Sequence, residues 1–273
     1  MASKMSQSGV YKAIISWIFS KGYKKGCEQF SFVRDDIEIA AAKLGLPRPK
    51  NLGDVPYSFR YRNAFPDEIA ATQPENREWV IQGAGDAKYL FKLVPHNRIL
   101  PNPNLLSIKI PDATPEIIGN YALGDEQALL AKVRYNRLID LFLGATAYSL
   151  QNHLRTKVPD VGQIEIDEVY VAVDKHGRQF VVPVQAKGGH DHHGVVQTFQ
   201  DVAWCAHKLP ELICRPVSVQ FVSDTKIAMF ELCDDNGVVK IVDEKHYELV
   251  TADHISIEEL KSYQVHAGDS RGR

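Results

Sequence analysis

Cysteine is scarce in this chain: 273 residues hold Cys27, Cys205, Cys214 and Cys233. None stands in Cys-x-x-Cys spacing and they form no dense framework, which argues against both a zinc knuckle and a disulfide scaffold. A reducing, cytoplasmic setting is the expectation. Internal repeats are missing, as are GxxxxGK[ST], GxGxxG and GxSxG. Their absence speaks against nucleotide-dependent and serine-hydrolase chemistry. The apolar run from Ala13 to Phe19 is far too short to span a bilayer, and Lys21, Lys24 and Lys25 follow it without a small-residue cleavage site. It is expected to be helix core, with no targeting segment and no membrane partner.

What is present is enough apolar material, 44% of residues, for a real core in one large or two modest domains. The net charge of −2 hides an asymmetry. Residues 1–63 carry 11 Lys and Arg against 5 Asp and Glu, a balance of +6, so the remainder stands at −8. A basic amino-terminal part on an acidic remainder suits nucleic acid at one end and metal chemistry at the other.

The most informative stretch runs from Gln163 to Gly188. Two alternating apolar runs, Gln163 to Val173 and Gln179 to Lys187, flank a charged, glycine-bearing turn from Asp174 to Arg178. This predicts a β-hairpin. Alternation puts Gln163, Glu165 and Asp167 on one face of the first strand, and Gln185 and Lys187 on one face of the second. Pairing would gather a carboxylate, an amide oxygen and an ammonium. Asp167, Gln185 and the main-chain carbonyl of Ala186 could then hold Mg²⁺, or Mn²⁺, through oxygen ligands. Lys187 would serve the attacking water and the charge that grows in the transition state of phosphodiester hydrolysis.

Asp167 with Gln185-Ala186-Lys187 resembles the core of the PD-(D/E)XK nuclease superfamily, which includes many restriction endonucleases and junction resolvases. The resemblance implies an α/β restriction-endonuclease-like core, a central mixed sheet flanked by helices, over residues 97–273. It further implies a Mg²⁺-dependent, sequence-specific endonuclease of restriction type acting on double-stranded DNA, with catalytic residues Asp167, Gln185, Lys187 and Glu165. The chain departs from the common pattern at Gln185, where Asp or Glu is usual. Glu165 is therefore expected to supply the missing charge among the metal donors Asp167, Gln185, Ala186 and Glu165. Scission of both strands would call for two sites, hence the expectation of a homodimer. The competing readings are a structure-selective resolvase or repair nuclease, and a non-catalytic DNA-binding regulator on a degenerate core.

Residues 1–96 read as a winged-helix-like DNA-binding domain. Helical spacing appears over 9–22, over 34–46 and over 51–62 with Asn51 as its cap, and a hairpin follows from Trp79 to Val94. In such modules the last helix meets DNA, so Lys50, Asn51, Ser58, Arg60 and Arg62 are the expected contacts. Tyr57, Phe59 and Tyr61 are read as core. Residues 95–124, with five prolines, form a connector with one strand from Leu105 to Ile110. A long helix from Asp125 to Gly144 follows, its Glu126 read as complementing the helix dipole. Residues 147–158 read as either a helix or a strand, and the superfamily resemblance implies a strand, from which His153 and Arg155 could approach a phosphate. A helix from Val195 to Leu209, a strand from Val217 to Val222, further strands over 227–232, 238–242 and 247–250, and a last helix from Ile257 to Tyr263 complete the chain. The cluster His190-Asp191-His192-His193 could bind Zn²⁺ but is read mainly as a polar rim, with Gly188 and Gly189 permitting close approach to phosphate.

Overall fold

The computed structural model describes residues 6–121, 125–189 and 191–269. The first apolar stripe forms α1 (Gln7–Gly22), capped by the Ser6 side chain. Next comes β1 (Gln29–Val33), a strand of five residues that helical and turn signals on either side concealed. It leads into α2 (Arg34–Lys43), α3 (Asp54–Tyr61) and the short α4 (Asp67–Ala70). The expected hairpin is β2 (Glu78–Gly83) with β3 (Lys88–Val94), and β1 joins it to make a three-stranded antiparallel sheet in the order β1-β3-β2. Ile14, Ile15, Ile37, Val55, Phe59, Trp79 and Phe91 pack together as the core of this unit.

One correction concerns the start of α3. Gly53 occupies the cap position, while Asn51 makes a turn of its own, accepting the Gly53 N–H (3.1 Å) and donating to Asp54 (2.8 Å). Asparagine satisfies nearby backbone groups in this way whether or not a helix begins there.

The connector carries β4 (Arg98–Ile99), β5 (Ser107–Pro111) and α5 (Glu116–Tyr121), of which sequence reading anticipated β5 alone. The long helix expected from 125 to 144 is broken into α6 (Glu126–Tyr135) and α7 (Leu138–Leu143). Arg137 stands at the break with φ of 51°, and the neighbouring Asn136 is buried. The Asn136 amide receives the Ala113 N–H (2.7 Å) and donates to Thr114 Oγ1 (2.9 Å). Tying the connector down in this way interrupts the helix.

An eight-stranded mixed sheet follows, with helices on both faces. Its members are β5, β6 (Thr146–Val158), β7 (Gly162–Val173), β8 (Gln179–Lys187), β10 (Ile213–Cys214), β11 (Val217–Phe221), β12 (Lys226–Asp235) and β13 (Val238–Val250). Between them lie β9 (His193–Gly194), which pairs with β4, and α8 (Val195–Lys208); α9 (Ile257–Asp269) ends the described chain. The order is β5-β13-β12-β11-β8-β7-β6, parallel at β8–β11 and β13–β5 and antiparallel elsewhere along this path, with β10 beside β8. Residues 147–158 are strand, as expected. The two strands anticipated between 238 and 250 are one, because pairing with β12 carries the charged middle of β13 through.

The central hairpin is closed by Asp174, whose Oδ1 accepts from the N–H groups of His176 (2.9 Å) and Arg178 (3.0 Å), with Gly177 at φ of 79°. Leu129, Leu130, Val133, Leu138 and Ile139 from α6 and α7 cover one face of the sheet. Trp204 and Cys205 from α8 cover Ile164, Ile166, Val169 and Val181 on the other. Among the described residues no helix is long and apolar enough to cross a membrane.

A third cluster joins the two cores, with Val80, Val94 and Ile99 packed against Val195, Val196, Phe230 and Leu232. The hairpins touch as well. A methyl group on Gly83 would lie 1.8 Å from the Val161 carbonyl oxygen, so the backbones meet where only glycine fits. Gly83→Ala should therefore destabilise the fold by about 1–3 kcal/mol through forced backbone displacement. The thermal midpoint should fall by about 2–4 °C per kcal/mol. Gly119→Ala, in the exposed helix α5 and with an added carbon that meets nothing within 4 Å, should not destabilise the fold and should gain up to about 1 kcal/mol. Equal midpoints for the two variants in a circular-dichroism melt would contradict the close contact.

Candidate active site

The ladder between β7 and β8 stops at Glu168 opposite Val184. Beyond it the strands part, and side chains take over the bonding that the backbone gives up. Asp167 Oδ2 accepts the Ala186 N–H (2.8 Å), and Gln185 Nε2 donates to the Glu165 carbonyl oxygen (3.0 Å). Glu168 turns the other way, fully buried, into a two-pronged contact with Arg134 (3.0 and 3.2 Å).

At the splayed end the Lys187 Nζ lies 3.3 Å from Glu126 Oε1 and 3.9 Å from Asp167 Oδ2. Both Lys187 and Asp167 are largely buried, with side-chain exposures of 12% and 13%. The expected neighbourhood of Asp167 and Lys187 is what the structure contains. Burial pushes the Asp167 carboxyl above its ordinary range, with Glu126 and Glu165 adding to the effect, while the Lys187 charge and the Ala186 N–H oppose it. Glu126 is more than a dipole-complementing acid, since its carboxylate shares the lysine. Gly188 makes this proximity feasible: a side chain there would press at 3.3 Å on the backbone of Asp125 and Glu126. Its role in the fold is close packing against the start of α6, and sequence reading had reserved it for phosphate.

Gln185 is 1% exposed. Its Nε2 donates to Asp201 Oδ1 (2.9 Å) as well as to Glu165, and its oxygen accepts from Gln197 Nε2 (3.0 Å). The amide is engaged within the protein and holds β8 to α8. Asp201 is buried, its Oδ2 has no partner, and its pKa is raised well above the ordinary value by burial and by nearby Asp167, against the Gln185 hydrogen bond. Its surroundings thus favour the protonated form of this acid beneath the site. Glu165, expected as a further metal donor, is tied to β6 by Arg155 (3.0 Å) and His153 (3.6 Å). That pairing also occupies His153 and Arg155, and neither lines the cleft described next.

A cleft of about 810 Å³ opens between α3 and the splayed strands, and both Lys187 and Asp167 line it. Of the residues expected to contact DNA, Asn51, Arg60 and Arg62 line this cleft, whereas Lys50 is exposed outside it. Ser58 is corrected: it is 7% exposed and its hydroxyl accepts from Asn63 (2.6 Å), so it faces the protein interior. Phe59 is core, as read, but Tyr57 is 39% exposed and lines the cleft. In the histidine cluster, His190 lies outside the described residues. His192 approaches Gln220 (3.3 Å), while His193 is buried against Thr198 (2.7 Å). The described members thus turn to different partners.

Among the described residues no three His, Cys, Asp or Glu side chains are grouped so as to hold a metal ion. The oxygen chemistry of Asp167 and Glu126, a largely buried and a 42% exposed carboxylate sharing one ammonium, nevertheless fits a hard divalent cation. Mg²⁺ commonly takes one or two protein carboxylates and keeps its waters. No family model, curated protein or solved structure matches this chain.

His193 offers a test of how dry the floor of the site is. Burial, reinforced by the Lys187 and Arg98 charges, lowers its pKa from 6.5 to about 3. The unfolded chain takes up this proton below pH 6.5 and the folded one does not, so its contribution is complete above that pH and is lost as pH falls toward 3. Urea unfolding at a series of pH values should give a free energy that falls on acidification more steeply than in His193→Gln, by up to about 1.4 kcal/mol per pH unit. Parallel curves would mean that His193 is not held neutral.

Proposed function

We propose that this chain is a metal-dependent deoxyribonuclease of PD-(D/E)XK type with a winged-helix-like amino-terminal module. The observation that carries the reading is the placement of Lys187 Nζ, 3.3 Å from Glu126 and 3.9 Å from Asp167, at the rim of a cleft. The order of helices and strands from α1 to β3, with a hairpin after the last long helix, supports the amino-terminal part of it.

Asp167 and Glu126 would hold the cation, and Ala186 fixes the Asp167 carboxylate through its N–H. Bound there, Mg²⁺ or Mn²⁺ supplies Lewis-acid polarisation of a phosphate oxygen and a more acidic water. Lys187 donates to the attacking water and stabilises the negative charge that develops on the phosphate oxygens; its charge acts strongly because the site is largely desolvated. Gln185, Asp201 and Gln197 hold the end of β8 in place, which keeps the ammonium and the carboxylate at their separation. Charge at Gln185 is not required in this arrangement, since Glu126 supplies the second carboxylate that the superfamily pattern usually has there. Of the substrate readings, duplex scission at a set sequence and selection by DNA structure, the confined cleft favours the second.

Incubation of supercoiled plasmid and of single-stranded circular DNA with the protein and Mg²⁺ or Mn²⁺ should yield strand scission that a chelator abolishes. Asp167→Ala and Lys187→Ala should each slow it by about 10²–10³-fold. DNA affinity in a chelating buffer should change little in either. Wild-type rates of cutting by both variants would refute the assignment. Tight DNA binding without cutting by the parent protein would point to a regulator on an inactive core.

A further inference from the structure

Eleven arginines fall among the described residues. Seven of them, Arg48, Arg77, Arg134, Arg137, Arg155, Arg178 and Arg215, have a carboxylate within ion-pair distance. Arg34, Arg60, Arg62 and Arg98 have none, and all four line the cleft that holds Asp167 and Lys187. The cleft also holds carboxylates, Asp54, Asp86 and Asp191 among them, and Asp191 acts on Arg98 from a distance, but none closes an ion pair with these four guanidinium groups. Arg60 donates from Nε to the Ile81 carbonyl (2.9 Å), but its Nη2 is buried without a partner. Arg98 makes one long contact, to the Arg60 carbonyl (3.4 Å). Guanidinium groups without an ion-pair partner, two of them exposed (Arg34, Arg62) and two half-buried (Arg60, Arg98), are suited to phosphate oxygens.

The same wall carries an aromatic platform. Arg62 stacks over the Tyr57 ring (4.9 Å), Tyr61 meets that ring edge-on (4.8 Å), and Tyr57 is exposed to the cleft. An exposed ring beside a guanidinium is what an unstacked base binds, whichever base it is.

Besides the apolar cluster that joins the two units, contacts cross at the cleft itself. Tyr61 donates to Gln200 (3.0 Å), Arg98 reaches the Arg60 carbonyl, and Gly83 abuts Val161. A volume of about 810 Å³ lies in the range of small-ligand pockets, roughly 300–1,000 Å³. A cleft of this volume crossed by these contacts suits a strand with its bases unpaired, which needs less width than a duplex. We propose that the cleft binds an unpaired segment of DNA, phosphates on Arg34, Arg60, Arg62 and Arg98 and a base on Tyr57, leading one phosphodiester to Lys187. Only the last step rests on the nuclease reading, and the binding itself is independent of it.

Fluorescence anisotropy of the full chain in EDTA, with labelled oligothymidylate and with a blunt duplex of equal length, tests the proposal. The single strand should bind at least about tenfold more tightly than the duplex, given a stacked base worth roughly 5- to 100-fold. Tyr57→Ala should remove most of that preference. Arg62→Ala should weaken single-strand binding and lower the log–log salt slope by about 0.7, the value for one neutralised phosphate on a single strand. Both residues are exposed, and a thermal melt confirms that the variants fold. Equal or tighter binding of the duplex would overturn the proposal, as would unchanged single-strand affinity in both variants. Selective single-strand binding with no scission in Mg²⁺ would sink the nuclease reading and leave this one standing. Asp167-dependent scission with a preference for duplex would do the reverse.

Discussion

Everything at the site depends on one substitution of partners: where β7 and β8 separate, the Asp167 carboxylate takes the Ala186 N–H that a neighbouring strand would otherwise accept. A buried N–H left without an acceptor costs roughly 1–3 kcal/mol, so the separation persists because a side chain meets that need. The carboxylate is thereby brought beside the lysine that follows Ala186. Strand geometry, and no flexible loop, sets the distance between the two charged groups.

The layer beneath is polar and closed. Gln185, Gln197, Asp201 and His193 are linked to one another or to adjacent backbone and hydroxyl groups, and burial shifts both Asp201 and His193 toward their neutral forms. With burial favouring the neutral forms beneath them, the charged groups that meet at the cleft end of this layer are Asp167, Glu126 and Lys187. Unsatisfied atoms in this layer, Asp201 Oδ2 and His193 Nδ1, represent stability forgone to keep it so.

The amino-terminal unit is part of the site because of how it docks. The apolar contact of Val80, Val94 and Ile99 with α8 and β12 turns α3 toward the splayed strands, and Gly83 lets the two hairpins meet. As a result the arginines of one unit and the carboxylates of the other face a shared space. Of the eleven basic residues in 1–63, three, Arg34, Arg60 and Arg62, line this space without an ion-pair partner.

Alternation and periodicity determined much of this chain's local structure, because side-chain direction follows the strand and helix repeats. The central hairpin, its Asp174 turn, the neighbourhood of Asp167 and Lys187, and α8 all follow from residues close in sequence, whereas the residues of β6 by themselves fit a helix as well as a strand. Other features had no local signal. Glu126 joins the site from about forty residues away because Gly188 allows α6 to approach; Asn136 breaks a helix to anchor a connector; Ser58 is buried and Tyr57 exposed on one short helix. Gln185 reads as a ligand by its spacing, yet its amide is taken up by Asp201 and Gln197 of a helix that only the folded sheet brings near. Local pattern decides which way a side chain points along its own element, whereas the partner it meets depends on packing between distant elements, and that was decided by the tertiary structure alone.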